Sequence, residues 1–174
     1  MRIVAGLGNP GKKYEHTRHN AGWLALDYIL RTMEVAAEHE KFKAVLKETG
    51  SGTGKVLFVY PQNFMNNSGP VLAELLNFYK LGPSDLLVVH DEVDLPLGTL
   101  RFTENSSSAG HNGVQSIIDA LGTSEFRRVR IGIETRADKA VPPTDAFVLQ
   151  EFLPEELAQI PFEEISELVL SKLK

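Results

Sequence analysis

The sequence predicts a single α/β domain over residues 1–174, in which helices flank a mixed β-sheet. Two short apolar runs, at residues 2–6 and 85–90, have the length and composition of buried strands. Segments with helical spacing lie between the strand candidates, a pattern typical of a sheet covered by helices. Two further strand candidates flank the glycine-rich stretch 50–54, which indicates a hairpin and therefore some antiparallel pairing.

The remaining elements alternate along the chain. Further strands are predicted at 44–49, 55–60, 97–104 and 126–133. Helices are predicted over 21–34, 70–80, 112–121 and 154–173. Pro70 suits the first turn of the second helix, and Gly122 is typical of a residue that closes a helix. Pro161 is expected to interrupt the last helical segment, because proline removes a helical hydrogen bond.

Composition and charge limit the classes of function. The chain has 174 residues, no cysteine and a formal net charge of −5. The absence of cysteine excludes disulfides, thiolate metal sites and cysteine nucleophiles. The negative charge argues against non-specific binding of nucleic acid but allows a local basic patch. No apolar run is long enough for a membrane span and the first residues lack a signal-peptide pattern, so a cytoplasmic enzyme is expected.

The loop after the first strand raises the question of a dinucleotide site. Three glycines match the G-x-G-x-x-G pattern: Gly6, Gly8 and Gly11. A dinucleotide loop requires a helix that begins at its glycines, so that helix N–H groups meet the phosphates. Here Pro10 removes one N–H, and polar residues delay the helical pattern until about Ala21. The sequence therefore argues against a dinucleotide-dependent oxidoreductase, which stays the third class of function.

Four polar segments carry the side chains that could perform chemistry. They lie at residues 9–20, 64–69, 90–94 and 110–113, and each adjoins a predicted strand or opens a helix. Segments of this kind meet at one end of a sheet. They supply histidine, aspartate and asparagine side chains. Such side chains can polarise and position the acyl group of a substrate while one of them acts as a base that activates water. Because cysteine and the G-x-S-x-G motif are both absent, the residues favour hydrolysis by a His–Asp pair without a covalent intermediate.

Other interpretations of the same residues stay open on this basis. His19 and Asn66 could cap helices, while Asp91 and Asn9 could stabilise turns. A metal site could be assembled from His16, His19, His90, Asp91 and His111, but no pair has the HExxH spacing. An RNA-binding module without chemistry is the second class of function, and it would apply if His19 and Asp91 do not meet.

Taken together, the polar segments resemble those of bacterial peptidyl-tRNA hydrolases. The matching stretches are G-L-G-N-P-G-x-x-Y-x-x-T-R-H-N-x-G at 6–22, F-M-N-x-S-G at 64–69, H-D-E-x-D-L-P-x-G at 90–98, G-H-N-G at 110–113 and R-R-V-R-I-G-I at 127–133. The resemblance implies a mixed sheet flanked by helices. It also implies an enzyme that cleaves the ester between a peptide and the terminal ribose of tRNA.

The resemblance assigns expected roles to individual residues. His19 would accept a proton from water, Asp91 would support the basicity of His19, and Asn9 would help to distinguish a blocked from a free α-amino group. Contacts with the substrate are implied for Tyr14, Phe64, Asn66 and Asn112. The family needs no cofactor and is monomeric, and its partner is peptidyl-tRNA, through the acceptor stem and CCA end. Because the sequence has no strong metal-ligand spacing, we also expect no metal requirement.

A chain of net charge −5 must attract tRNA through a local basic patch. Arg101 and Arg130 are the candidates closest to the motifs, and we expect both to contact the acceptor stem. Arg127 and Arg128 belong to the same set of basic residues, although some of the set could be ordinary strand residues. One departure from the family pattern concerns the loop before Gly110, which is serine-rich rather than glycine-rich, so its mobility is expected to differ.

Overall fold

Seven strands form one mixed sheet in the computed structural model, which describes residues 1–50 and 52–173. The strands are β1 Arg2–Gly6, β2 Val35–Lys41, β3 Ala44–Thr49, β4 Val56–Pro61, β5 Leu86–Pro96, β6 Leu100–Glu104 and β7 Arg127–Glu134. Their order across the sheet is β2-β3-β4-β1-β5-β7-β6. The four inner strands β4, β1, β5 and β7 are parallel, and the outer pairings are antiparallel. The predicted α/β class with a mixed sheet is confirmed.

Helices cover both faces of the sheet. They are α1 Ala21–Leu30, α2 Ser68–Tyr79, α3 Asn112–Leu121, α4 Thr144–Phe147, α5 Pro154–Leu157 and α6 Phe162–Ser171. Alternate residues of β1 point to opposite faces. Val4 therefore packs with α1 and α6 on one face, whereas Ile3 and Ala5 pack with α2 and α3 on the other. No helix in the described part of the chain is both long and apolar enough to cross a membrane.

Several predicted boundaries agree with the structure. Pro70 lies in the first turn of α2, Gly122 follows α3 with a φ of 67°, and Pro161 separates α5 from α6. The hairpin of β3 and β4 surrounds the predicted turn, of which Ser51 lies outside the described residues. The predicted helix over 21–34 is shorter, since α1 ends at Leu30.

Two strands differ from the prediction. β5 continues to Pro96, so the polar residues 90–94 lie within a strand that still pairs with β7. β2 was not predicted, because its residues are mostly exposed and give no apolar alternation. The turn before β3 consists of Phe42 and Lys43, with φ values of 54° and 57°. Such left-handed turns usually contain glycine, asparagine or aspartate, so this hairpin carries no recognisable signal.

The glycines of the first loop permit close packing between β1 and α1. A Cβ atom on Gly22 would lie 2.3 Å from the carbonyl oxygen of Val89 and 2.6 Å from the nitrogen of Leu7. A Cβ atom on Gly6 would lie 2.7 Å from the carbonyl oxygen of Gly22. After Gly11 the chain forms two short 3-10 turns, Lys12–Tyr14 and Arg18–Asn20, and α1 begins only at Ala21. Among the described residues, no α-helix begins at the glycines of this loop, as a dinucleotide site requires, and the close contacts of Gly6 and Gly22 show that the glycines serve packing.

Candidate active site

The carboxyl ends of the inner parallel strands bring the four polar segments together. Asn9 follows β1, and Phe64 and Asn66 follow β4. In the register of β1 and β5, Gly6 lies opposite Val89, so Asp91 lies just beyond the end of β1. His19 reaches the same edge from the 3-10 turn that precedes α1. Ligands of open α/β sheets bind at this edge.

A buried histidine–aspartate pair forms the centre of the site. Nδ1 of His19 lies 3.0 Å from both carboxylate oxygens of Asp91, and the two side chains are 9% and 1% exposed. Because a carboxylate only accepts, Nδ1 carries the proton and Nε2 is left as an acceptor. The backbone N–H of His19 donates to the carbonyl of Val148 at 2.8 Å, which fixes the segment that holds the ring.

A second histidine, His111, also contacts Asp91. Its Nε2 lies 2.9 Å from Oδ1 of Asp91, while its Nδ1 accepts from the backbone N–H groups of Gly113 and Val114. The ring therefore caps the N-terminus of α3 and donates to Asp91 through Nε2–H. Sequence reasoning placed His111 only in a motif and in a hypothetical metal set. A histidine at a position where serine or aspartate is usual was the available signal.

The ionisation of this cluster follows from burial and from its neighbours. Burial lowers the pKa of His19, but the charge and hydrogen bond of Asp91, with a smaller contribution from Asp145, raise the pKa above its ordinary value. Burial alone would raise the pKa of Asp91, yet the two histidines that face it hold that pKa well below the ordinary range. Asp91 is therefore an anion at neutral pH.

His90, which precedes Asp91 on β5, contacts both Asp91 and His111. It is fully buried, and burial lowers its pKa well below the ordinary value, so the ring is neutral. Its Nδ1 lies 2.6 Å from the backbone carbonyl of Asp91, to which it donates. The ring also packs edge-on against His111, with centroids 4.7 Å apart. These contacts hold Asp91 from its main-chain side.

Asn9 is held with a defined orientation of its amide. The backbone N–H of Met65 donates to Oδ1 of Asn9 at 2.7 Å, which identifies that atom as oxygen. Asn20 binds the backbone of Asn9 twice, at 2.9 Å and 3.1 Å. Nδ2 of Asn9 has no partner among residues 1–50 and 52–173, and Asn9 lines a cavity. The amide can therefore donate to a carbonyl oxygen of a ligand.

Two adjoining cavities flank His19. The acidic cavity, of about 360 Å³, is lined in part by Asp91, Glu92, Asp94, Gly110 and His111. The amide cavity, of about 280 Å³, is lined in part by Asn9, Tyr14, Phe64, Asn66 and Leu149. Four residues line both cavities: His19, Asn112, Asp145 and Val148. A ligand that spans both cavities passes directly over His19.

The amide cavity joins apolar surface to polar amides. The rings of Tyr14 and Phe64 meet edge to face with centroids 6.2 Å apart, and Phe64 is 55% exposed. The side chains of Asn66 and Asn112 are exposed and have no hydrogen-bond partner in the described part of the chain. This combination is suited to a peptide, which offers both apolar groups and amides.

Arg101 and Arg130 lie opposite each other at the edge formed by β6 and β7. Arg101 is exposed, and no described residue forms an ion pair with it. Arg130 donates from Nε and Nη2 to Oε2 of Glu92, at 2.9 Å and 2.8 Å. The charge of Arg130 is therefore largely balanced within the protein, and Arg101 is the freer of the two cations.

The cluster of His19, Asp91 and His111 could be considered for a metal ion, because one ligand atom from each lies within 4.8 Å of the others. The protonation of the ring nitrogens does not favour metal binding. The nitrogens that face Asp91 both carry protons, and Nδ1 of His111 already accepts two N–H groups. A metal ion at Nε2 of His111 would require an imidazolate. Independence from metal ions stays a prediction.

The fold and this cluster together define an enzyme of the α/β class. The family model for peptidyl-tRNA hydrolase matches residues 3–174, so the chain belongs to the peptidyl-tRNA hydrolase family. It is 48% identical over 160 residues to the peptidyl-tRNA hydrolase of Brevibacillus brevis, covering 92% of this chain and 84% of the relative. It is 47% identical over 142 residues to that of Fusobacterium nucleatum, covering 81% and 74%.

The architecture of this family agrees with the structure described here. The crystal structure of peptidyl-tRNA hydrolase from Acinetobacter baumannii superposes with a TM-score of 0.86 at 28% sequence identity, covering 99% of this chain and 86% of that one. The resemblance inferred from the five motifs is confirmed, and so is the class of enzyme, a hydrolase that acts on ester bonds.

Proposed function

We propose that this protein hydrolyses the ester bond of peptidyl-tRNA, with water activated by His19 and without a covalent intermediate. Membership of the family supports the reaction and the substrate. The observation that carries the mechanism is the contact of Nδ1 of His19 with Asp91, 3.0 Å from both carboxylate oxygens. This contact leaves Nε2 as a base at the junction of the two cavities, and no serine–histidine pair competes with it among the described hydrogen bonds.

The reaction proceeds by proton transfer through a single imidazole. Nε2 of His19 accepts a proton from water as the water oxygen bonds to the ester carbonyl carbon. The negative charge of Asp91 stabilises the imidazolium that forms. As the tetrahedral intermediate breaks down, the bond from carbon to the ribose oxygen is cleaved, and His19 returns its proton to that oxygen. Free tRNA and the peptide acid leave the site, and the acid releases its proton to solvent as a carboxylate forms.

Asn9 provides the basis for selecting a blocked α-amino group. Its Nδ2 donates, because Oδ1 is occupied by the N–H of Met65. A peptide carbonyl accepts such a hydrogen bond, whereas the ammonium of a free aminoacyl ester presents only donors. The peptide lies in the amide cavity against Tyr14 and Phe64, and the amides of Asn66 and Asn112 pair with its backbone. This arrangement spares aminoacyl-tRNA from hydrolysis.

The acceptor stem lies towards the edge formed by β6 and β7, where Arg101 and Arg130 meet its phosphates. The terminal ribose enters the acidic cavity, whose carboxylates accept hydrogen bonds from hydroxyl groups. The enzyme acts as a monomer in the cytoplasm and requires no cofactor.

Release of tRNA from N-acetylated aminoacyl-tRNA tests the proposed mechanism. His19→Ala is expected to reduce turnover by roughly 10²- to 10⁴-fold, the usual contribution of a general base, while tRNA binding persists. His16→Ala is the matched control, since His16 is exposed and three positions away. Near-normal turnover by His19→Ala contradicts the role of His19. Binding of RNA without any release by the wild-type protein would identify an RNA-binding module instead.

A further inference from the structure

Arg128 on β7 is buried without an acidic partner. It is 1% exposed, and its Nη2 donates to the backbone carbonyls of Ser106 and Ser107, at 2.7 Å and 2.8 Å, and to the hydroxyl of Ser106. Its Nε and Nη1 have no hydrogen-bond partner within the described residues. More than half of its N–H groups therefore lack an acceptor.

The less buried Arg127 also has two nitrogens, Nε and Nη2, without a hydrogen-bond partner among the described residues. Three other arginines, with side chains no more than 14% exposed, are compensated differently. Each forms an ion pair with a carboxylate: Arg18 with Glu156 at 2.6 Å, Arg130 with Glu92 at 2.8 Å and Arg136 with Glu134 at 2.8 Å. An unpaired buried charge is costly, so arginines that serve only to hold structure together are usually paired. Arg128 lacks this compensation in the free protein.

The side chain of Arg128 continues a row of cations. Arg128 and Arg130 are two residues apart on β7, so their side chains lie on the same face of the sheet. In the register of β6 and β7, Arg130 lies opposite Arg101, and Arg128 lies opposite Thr103. The face on which we place the acceptor stem thus contains three guanidinium groups, of which Arg128 is the covered one.

The cover over Arg128 is the serine loop, residues 105–109. The loop contains no large apolar side chain, and its other side-chain contacts are exposed hydrogen bonds from Ser124 to Asn105 and from Ser108 to Gln115. Asn105 and Ala109, at its two ends, have φ values of 46° and 49°. A segment held by few exposed polar contacts opens at low cost in free energy.

We propose that Arg128 is a phosphate-binding residue, covered by the serine loop in the free protein and uncovered when the backbone of an RNA binds beside Arg101 and Arg130. Phosphate oxygens accept from guanidinium N–H groups in a charge-assisted geometry, and supply the anion that the interior lacks. The proposal rests on the proposed function, because it takes tRNA as the source of the phosphate.

Binding of a 5′-phosphorylated acceptor-stem hairpin RNA, measured across a range of salt concentrations, tests this proposal. Arg128→Met is expected to make the slope of log affinity against log salt shallower by about 1, because one phosphate contact is lost. Arg128→Lys keeps a cation, so the slope of log affinity against log salt should be unchanged. The lysine cannot, however, bind the carbonyls of Ser106 and Ser107 as the guanidinium does. Arg31→Met is the control, since Arg31 is exposed at the end of α1. An unchanged slope in Arg128→Met overturns the proposal.

Amide hydrogen exchange of the wild-type protein tests the uncovering without any variant. The amide of His111, which donates to the carbonyl of Ser108 in the serine loop at 3.0 Å, should exchange faster when the hairpin RNA is bound, whereas slower or unchanged exchange overturns the movement of the loop. The hairpin carries no ester, so this result does not depend on hydrolysis. If the protein released no tRNA from N-acetylated aminoacyl-tRNA yet Arg128→Met lost slope, the phosphate site would stand and the proposed reaction would fail.

Discussion

At the scale of single residues, the site depends on which atoms of each side chain are already occupied. Asp91 binds His19 and His111 at once. Its carboxylate fixes the proton of His19 on Nδ1, and the N–H groups that donate to Nδ1 of His111 fix the proton of that ring on Nε2. Oδ1 of Asn9 is occupied by Met65, which leaves a donor facing the ligand. The geometry thus determines, before any substrate binds, which atoms in the cleft donate hydrogen bonds and which accept them.

Asp91→Asn tests the coupling between the two central residues. The anionic carboxylate raises the pKa of His19, so its removal lowers that pKa, and the neutral base persists to lower pH. We expect the acidic limb of the kcat/KM profile to shift to lower pH while the maximum falls, since the imidazolium loses its counter-charge.

Asp145→Asn provides a graded comparison for this effect. Its charge contributes less to the pKa of His19, so the same limb should shift in the same direction by a smaller amount. A profile of Asp91→Asn that coincides with the wild type at full activity would show that Asp91 serves structure alone.

At the scale of elements, the segment from α4 to α5 is attached to the turn that carries His19. Nη2 of Arg18 lies 2.9 Å and 2.6 Å from the two carboxylate oxygens of Glu156, and Arg18 also packs over the ring of Phe147 at 4.4 Å. Backbone hydrogen bonds join His19 to Val148 and Phe152 to His16. Four residues of this segment line the cleft: Thr144, Asp145, Val148 and Leu149.

Glu156→Gln should therefore affect both stability and substrate binding. Loss of one partner leaves Arg18 buried and unpaired, which costs about 3–5 kcal/mol in comparable pairs. We expect a clear fall in the free energy of unfolding, measured by denaturant titration, and a higher KM for peptidyl-tRNA as the cleft wall loosens.

Two further variants bracket the stability effect of Glu156→Gln. The double variant Arg18→Met with Glu156→Leu should recover part of the lost stability, because no unpaired charge is left. Asp85→Asn breaks the partly exposed pair with Arg2 and should change stability by only about 0–1 kcal/mol. If Glu156→Gln were as mild as Asp85→Asn, the buried pair would not be what attaches this segment.

The elements also show why some features were predictable and others were not. Apolar runs and helix-closing residues are local signals, so β1, α3 and the break at Pro161 could be read from the sequence. The pairing of Arg18 with Glu156 joins residues far apart in the chain and leaves no local pattern. His111 was equally hidden, because its contact with Asp91 exists only once α3 packs against β5.

At the scale of the whole molecule, the sheet topology brings His19 and Asp91 together at the carboxyl ends of the inner strands. The arginines lie on the neighbouring strands β6 and β7. The chain as a whole has a net charge of −5, so we propose that this local row of arginines attracts RNA. The sequence predicts a basic patch that includes Arg101 and Arg130, but only the register of β6 and β7 shows that the two residues lie opposite each other. The partner of Arg130, Glu92, could not be identified from spacing.

Arg101→Glu is therefore the sharper test of tRNA attraction. Arg101 has no ion-pair partner in the part of the chain that the structure describes, so its replacement leaves no buried charge behind. We expect a higher KM for peptidyl-tRNA with little change in kcat. An N-acetylated amino acid esterified to adenosine lacks the stem, and both proteins should cleave it equally. Equal damage on both substrates would mean that Arg101 supports the cleft rather than the stem.

The shared hydrogen bonds of Asp91 have an electrostatic consequence for the proposed reaction. While His19 is a neutral base, the cluster of His19, Asp91 and His111 holds one net negative charge, because both imidazoles are uncharged donors. When His19 takes a proton from water, the cluster has no net charge. The proton transfer thus neutralises an existing buried anion instead of creating an isolated buried cation, which would be strongly disfavoured in so enclosed a site. The free-energy cost of burying the charge of Asp91 is part of the folding free energy, before the substrate binds. Transfer of a proton to His19 then reduces this cost.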